Sequence, residues 1–233
     1  MNAIVPSVLE IDVVSDVVCP WCFVGKRQLD QAVAQWQQRH PRQPAPTLRW
    51  RPFQLNPDLP GAGMLREDYL LRKFGHRGGA AAYQRVRDAA RNVGLTLALE
   101  AIRIQPNTLR CHGLIEVAAE AGCQTALVEA LFAAYFLHGR DLSDDAVLRE
   151  IAAGAGVPAD LIDAVLNGDA VTRLVAAADA ELREYGVDGV PLFLVGSAGG
   201  ARLAVSGAQG SAALLEAFER AMAGDDPPPI AAP

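Results

Sequence analysis

Residues Val8 to Val14 read V-L-E-I-D-V-V, with apolar side chains alternating at Leu9, Ile11 and Val13, and this period of two predicts a strand ending at Ser15-Asp16. The period then changes. Leu29, Val33 and Trp36 recur at steps of four and three, which predicts an amphipathic helix running to about Arg39, with Pro20 at its first turn where a helix tolerates proline. A proline-rich loop over His40 to Pro46 follows, and Leu48 to Phe53 alternates as a second strand. Strand, helix, strand in this order fits a parallel βαβ unit.

From about Met64 to Tyr185 the chain is rich in Ala, Leu, Arg and Glu and is punctuated by Gly94, Gly122, Gly139, Gly156 and Gly168, which predicts six or seven helices. Pro158 marks one helix start, Asp169 reads as the cap of another and Gly186 closes the last. Extended chemistry returns at Val190 to Val195 and Leu203 to Ser206, two runs that a Gly-rich stretch joins as a β-hairpin. Ser211 to Met222 places Leu214, Leu215 and Phe218 on one helical face, and the proline-rich 224–233 reads as a disordered tail. The expected fold is therefore α/β, a mixed sheet built from βαβ and ββα ends. The corresponding division is a discontinuous unit over 8–63 and 186–223, with a helical domain over 64–185 inserted between its halves.

Composition narrows the function. The 233 residues are 51% hydrophobic and 21% charged, enough to bury a core without crosslinks. With 21 basic and 27 acidic residues the net charge is −6, which disfavours nucleic acid or an anionic membrane surface as the main partner. No apolar run is long enough to span a bilayer, and Met1 to Glu10 has neither the basic stretch nor the apolar core of a signal peptide. A cytoplasmic protein is expected.

Four cysteines are too few for a disulfide scaffold, so their spacing carries the information. Cys19-Pro20-Trp21-Cys22 lies between the first strand and the first helix. Two thiols three positions apart at a helix start are close enough to bridge. The helix N-terminus favours a thiolate at the first of them, which is expected to be exposed while the second tucks inward. Cys19 then attacks and Cys22 resolves, through a mixed disulfide. Half of a zinc site has the same spacing and needs two further ligands, for which Cys111, His112 and Cys123 are the candidates. The βαβ setting favours the redox reading, and no metal is expected.

The run Ser15-Asp16-Val17-Val18-Cys19-Pro20-Trp21-Cys22, followed by Gly25-Lys26, resembles the DsbA-like thioredoxin-fold oxidoreductases, in particular their FrnE-type branch near the hydroxychromene-carboxylate isomerases. Phe53-Gln54-Leu55-Asn56-Pro57, Asn107-Thr108 with His112, Gly189-Val190-Pro191 and Ser206-Gly207-Ala208-Gln209 extend the resemblance over residues 8 to 222. It implies a thioredoxin fold interrupted by helices, and a cis-proline at Pro191 beside the cysteines. Val190 would then offer its backbone to an extended substrate. The resemblance also implies thiol or disulfide substrates, of protein or small-molecule origin, and an unidentified recycling reductant. No cofactor is expected beyond the redox disulfide itself, with glutathione as a candidate co-substrate, and a homodimer is compatible with the sequence. Two other functions stay open: an isomerase or glutathione-dependent enzyme, against which the cysteine at 19 argues, and a chaperone using the helical block as an apolar groove.

Several residues carry two readings. Asp16, three before Cys19, can relay protons or make a turn hydrogen bond. Trp21 and Pro20, between the cysteines, can tune the thiols and touch substrate, or simply pack over the helix start. Asn107 fits a helix cap with His112 one turn beyond Thr108, on a helix that the resemblance places over the site. Cys111 and Cys123 read as buried inert thiols. Arg66, Arg72, Lys73, His76 and Arg77, interleaved with Tyr69 and Phe74, read as a solvated helical face, with a substrate surface as the alternative.

Overall fold

The alternation at Leu9, Ile11 and Val13 becomes a strand, β1 (Leu9–Ser15), because each of these side chains finds an apolar layer beneath it. The computed structural model describes residues 8–75, 80–197 and 199–223. The 224–233 tail, the segment 1–7 and the pair His76 and Arg77 lie outside the described residues. After β1 come α1 (Pro20–Arg39) and β2 (Thr47–Pro52), which pairs parallel to β1 with Val13 opposite Trp50. At the other end of the chain are β5 (Leu192–Ser197), β6 (Arg202–Ser206) and α9 (Ser211–Ala223). β5 runs antiparallel to β1, with Val13 opposite Phe193, and β6 antiparallel to β5, giving the order β2-β1-β5-β6. This is the mixed α/β sheet that the pattern predicts.

The two faces of the sheet are separate cores, as a period of two requires. On one face Ile11, Val13, Phe193 and Val195 meet α1 and α9 through Leu29, Trp36, Leu214 and Phe218, with Trp36 edge-on to Phe218 at 6.3 Å between ring centres. On the other, Val14 and Phe53 meet Leu182, with Leu192 and Leu194 packed around them.

Between β2 and β5 lie β3 (Met64–Leu65), α2 (Arg66–Phe74), α3 (Ala80–Asn92), a 3-10 turn at Leu99–Ala101, β4 (Ile104–Gln105), α4 (Leu109–Glu120), α5 (Gln124–Phe136), α6 (Asp145–Gly154), α7 (Ala159–Leu166) and α8 (Ala170–Glu184). The upper end of the expected six or seven helices is reached among the described residues. The two-residue antiparallel ribbon β3·β4 is absent from the sequence reading, since runs this short carry no period. Gly94, Gly122, Gly139 and Gly156 do punctuate, each with φ between 62° and 93°. Asp169 corrects the reading: it stands at the start of α8 but its side chain caps no backbone N–H and pairs with Arg173 instead.

These helices are fastened to the sheet at two places that matter for the site. Phe23 of α1 stacks on Phe132 of α5 with ring centres 5.1 Å apart, so the start of α1 is held by the inserted helices. The edge of β2 is closed by the Gln124 amide, which accepts from Trp50 N–H at 2.9 Å and donates to the Trp50 and Ile115 carbonyls at 3.3 and 3.1 Å. No helix among the described residues is long and apolar enough to cross a membrane.

Candidate active site

β1 ends in a tight turn in which Cys19 N–H donates to the Asp16 carbonyl at 3.0 Å, and α1 starts immediately after it. Cys19 is the last extended residue (φ −91°, ψ 112°) and Pro20 the first helical one, a place where a missing N–H costs nothing. The Cys22 N–H returns to the Cys19 carbonyl at 3.0 Å, so the two thiols sit on one turn at the positive end of a 20-residue helix. Both are reduced and both are buried. The expectation of an exposed Cys19 is therefore corrected: the segment before β5 lies against it, and its Sγ donates to the Val190 carbonyl at 3.7 Å.

The two thiols are not equivalent. A hydrogen bond from the Cys22 thiol holds the Cys19 pKa below its ordinary value, helped by the N–H groups of Cys22 and Trp21, against burial and the Asp16 charge. Burial pushes Cys22 well above its ordinary value, and a thiolate on Cys19 pushes it further. Charge in the pair therefore settles on Cys19.

The Val190–Pro191 peptide is cis. Pro191 is kept against the site from both sides. Its carbonyl accepts from Gly207 N–H at 2.8 Å, and its ring lies against Gly25 of α1, where an added Cβ would stand 3.0 Å from Pro191 Cγ. The Ser206-Gly207-Ala208-Gln209 stretch thus acts as a brace. Gly207 reverses the chain at φ +79°, Gln209 donates to the Ser206 carbonyl, and Gly210 N–H donates to Gln28 of α1.

Asp16 and His112 meet beneath the cysteines. Both are buried, and Asp16 Oδ1 lies 3.4 Å from His112 Nε2, neither atom having a hydrogen-bond partner among the described residues. Asp16 Oδ2 accepts from Leu55 N–H at 2.8 Å. The Phe53-to-Pro57 stretch is fixed elsewhere too: Gln54 N–H donates to Asp179, Arg183 donates to the Gln54 carbonyl, and the Gln54 amide donates to Asn107 Oδ1. Asn107, which the sequence suggests as the cap of α4, stands instead one residue before the N-cap Thr108. It accepts from Leu109 N–H and donates to the Pro57 and Leu59 carbonyls, clasping that loop to the start of α4. Cys111 is fully buried, and burial drives its thiol far above the ordinary value, which leaves it inert; Cys123 is half-buried at the start of α5. Among the described residues no three His, Cys, Asp or Glu side chains converge as metal ligands would.

A cavity of about 310 Å³ opens beside Cys19, walled by Pro20, Trp21 and Leu55 on one side and by Arg66, Tyr69, Lys73, Phe74 and Tyr83 on the other. The structure therefore brings together Asp16, Cys19, Pro20, Trp21, Cys22, Val190, Pro191 and His112, with Asn107 one step removed through Gln54. The cavity residues that sequence reasoning passed over are Tyr83 and Val86, and Leu55 enters only as part of the resemblance. Of the run assigned to a solvated face, Arg66 is buried and Tyr69, Lys73 and Phe74 line the cavity. The alternation of basic and aromatic residues was the available signal.

This arrangement has a known counterpart. A description of a DSBA-like thioredoxin domain matches residues 10–219. The chain belongs to that family. Among solved structures, a probable DsbA oxidoreductase from Streptomyces coelicolor is 28% identical to this DSBA-like protein, with a TM-score of 0.80 over 94% of this chain and 92% of that one. A 2-hydroxychromene-2-carboxylate isomerase shares the fold at 17% identity and a TM-score of 0.60, covering 91% and 95% of the two chains. The cytosolic disulfide reductase DsbM from Pseudomonas aeruginosa does so at 16% and 0.54, covering 92% and 95%. No curated protein sequence matches the chain at a significant level.

Proposed function

We propose that this DSBA-like protein is a thiol-disulfide oxidoreductase of the FrnE type that works through the Cys19-Pro20-Trp21-Cys22 pair. The observation that carries the reading is the division of labour between the thiols: Cys19 is held below its ordinary pKa by Cys22 and lies beside a cavity, while Cys22 is raised by burial. The Cys19 thiolate attacks one sulfur of a substrate disulfide, forming a mixed disulfide and expelling one thiolate. Cys22 then loses its proton and attacks Cys19, expelling the second thiolate and leaving the internal bridge, so two electrons pass from the dithiol to the substrate. Asp16 and His112 stand where that proton must be held or passed. The Val190 carbonyl, just before the cis Pro191, accepts from the attacking sulfur, and Trp21 borders the route to it.

A cytoplasmic setting favours reduction or isomerisation over net oxidation, with glutathione as a candidate co-substrate. Three measurements test the reading. Cys19→Ser removes disulfide exchange, and unchanged exchange refutes the reading. Cys22→Ser accumulates the mixed disulfide on Cys19. With Cys111 and Cys123 replaced by serine, the potential of the remaining pair separates a reductase near −270 mV from an oxidant or isomerase at −120 to −180 mV.

A further inference from the structure

The cavity beside Cys19 has a charge that the rest of the molecule does not explain. The chain as a whole carries −6, yet among the described residues this cavity is lined by two cations, Arg66 and Lys73, and by no Asp or Glu. Neither cation has an acidic partner among the described residues. Lys73 Nζ donates to Tyr69 Oη at 2.9 Å and stands over the Tyr69 and Phe74 rings at 5.4 and 5.8 Å. Arg66 is only 8% exposed. Its two terminal nitrogens donate to neutral acceptors, Gln105 Oε1 and Tyr83 Oη, and its Nε–H has no partner.

A guanidinium buried to this degree ordinarily meets a carboxylate, because desolvating a charge without a counter-charge is costly. Here the balancing groups are all neutral, and the guanidinium side chain stands in the wall of a cavity that Cys19 also lines. The remaining walls are apolar or aromatic: Val18, Leu55, Tyr69, Phe74 and Val86. A volume of about 310 Å³ stands at the small end of ligand sites and suits a small organic molecule rather than a length of polypeptide.

We propose that this cavity is a subsite for small organic disulfides, and the thiols derived from them, that carry a carboxylate beside an apolar or aromatic body. Lys73 and Arg66 hold the anionic end, and Leu55, Tyr69 and Phe74 enclose the body next to Cys19. The class differs from glutathione, whose body is polar. The proposal rests on the redox reading of Cys19 and adds selectivity to it. The chemistry balances within the protein: the reduced Cys19/Cys22 pair supplies both electrons, the substrate disulfide leaves as two thiolates, and the released protons go to solvent.

The test is a single turnover of pre-reduced protein with three disulfides that differ in charge. These are dithiobis-nitrobenzoate (anionic), dipyridyl disulfide (neutral) and cystamine (cationic), each rate being divided by that of dithiothreitol with the same compound. The expected result is a normalised rate about tenfold higher for the anionic compound than for the neutral one, lower again for cystamine, and converging as ionic strength rises. Lys73 is exposed, so Lys73→Gln folds; it should remove most of the anionic preference, read as the ratio of the anionic to the dipyridyl rate, and Lys73→Glu should invert the order. Equal normalised rates in the wild type, or a preference untouched by both substitutions, overturn the subsite while the redox function stands. Failure of Cys19 to react with any of the three overturns the redox function and the subsite with it.

Discussion

Removing the Cys22 thiol should raise the Cys19 pKa, since the hydrogen bond from Cys22 is the largest influence holding it down. A hydrogen bond to a charged group contributes about 1.5 to 3 kcal/mol. At 1.36 kcal/mol per unit, Cys22→Ala should therefore move the Cys19 midpoint up by about one to two units. The N–H groups of Cys22 and Trp21 remain in the variant and keep the shift from growing larger. The assay is the pH dependence of iodoacetamide alkylation, with Cys111 and Cys123 replaced by serine, checked against thiolate absorbance. Below both midpoints each unit removes about tenfold of the thiolate, but nucleophilicity recovers about threefold through its own dependence on pKa, so the midpoint is the sharper readout. Cys22→Ser keeps a donor and should shift the midpoint by only a few tenths. An unmoved or lowered midpoint in Cys22→Ala would refute the account of how this pair is poised.

The same shifts fix the sign of the pH dependence of stability in the reduced protein. The depressed Cys19 pKa contributes stability that is present above its ordinary value and lost as pH falls through its folded value, whereas the raised Cys22 contributes below its ordinary value and loses as pH rises. Denaturant unfolding of the reduced form should thus show stability rising with pH toward the ordinary thiol range and falling beyond it; in the oxidised form the rising limb should vanish while a weaker falling limb persists, because burial also raises Cys111. Gly25→Ala puts a Cβ 3.0 Å from Pro191 Cγ and 3.1 Å from Phe193 Cζ, an overpacking cost of about 1–3 kcal/mol against a helix gain of at most about 1 kcal/mol. Thermal unfolding should register a net loss and disulfide exchange should slow; a stabilised variant contradicts the close packing described. Gln124→Leu strands the Trp50 N–H and carbonyl and removes a second bond to the helical Ile115 carbonyl, and urea unfolding should show a loss of about 2–6 kcal/mol, with less than about 1 kcal/mol excluding the amide as closure of the β2 edge.

The parts of the fold legible in the sequence are those whose signal is local. Leu9, Ile11 and Val13 alternate because one neighbouring layer receives them, and Cys19 to Cys22 announce themselves by spacing within one turn. The expected strands and terminal helix fall within about two residues of the observed ones for that reason. What stayed hidden depends on partners far along the chain. Arg66 has the local look of a solvated residue and is buried because Gln105 and Tyr83, 39 and 17 residues away, accept from it. Cys19 was expected in the open, but Val190, 171 residues later, closes over it. Asp169 satisfies the composition rule for a cap, yet Arg173 competes for its carboxylate. Tyr83 gave no sign, since nothing near it in sequence marks it as part of a wall.

The site is divided along the chain in a way that separates potential from selectivity. The groups that set the Cys19 and Cys22 protonation states, namely the two thiols, the Trp21 N–H and Asp16, come from the turn after β1 and the start of α1. The groups that face an incoming molecule across the cavity, namely Arg66, Tyr69, Lys73 and Phe74, come from α2, fastened by Arg66 to Gln105 on β4 and to Tyr83 on α3. None of these α2 side chains is among the influences on either cysteine; Trp21 alone stands on both sides of the division, its N–H lowering Cys19 and the residue itself walling the cavity. Substitutions on the exposed side of α2 should therefore change which disulfides react while leaving the Cys19/Cys22 potential in place, and replacing Asp16 by Asn should lower the Cys19 midpoint while leaving the order of substrates unchanged. If potential and preference move together in both sets of variants, the division is wrong and α2 takes part in poising the thiols.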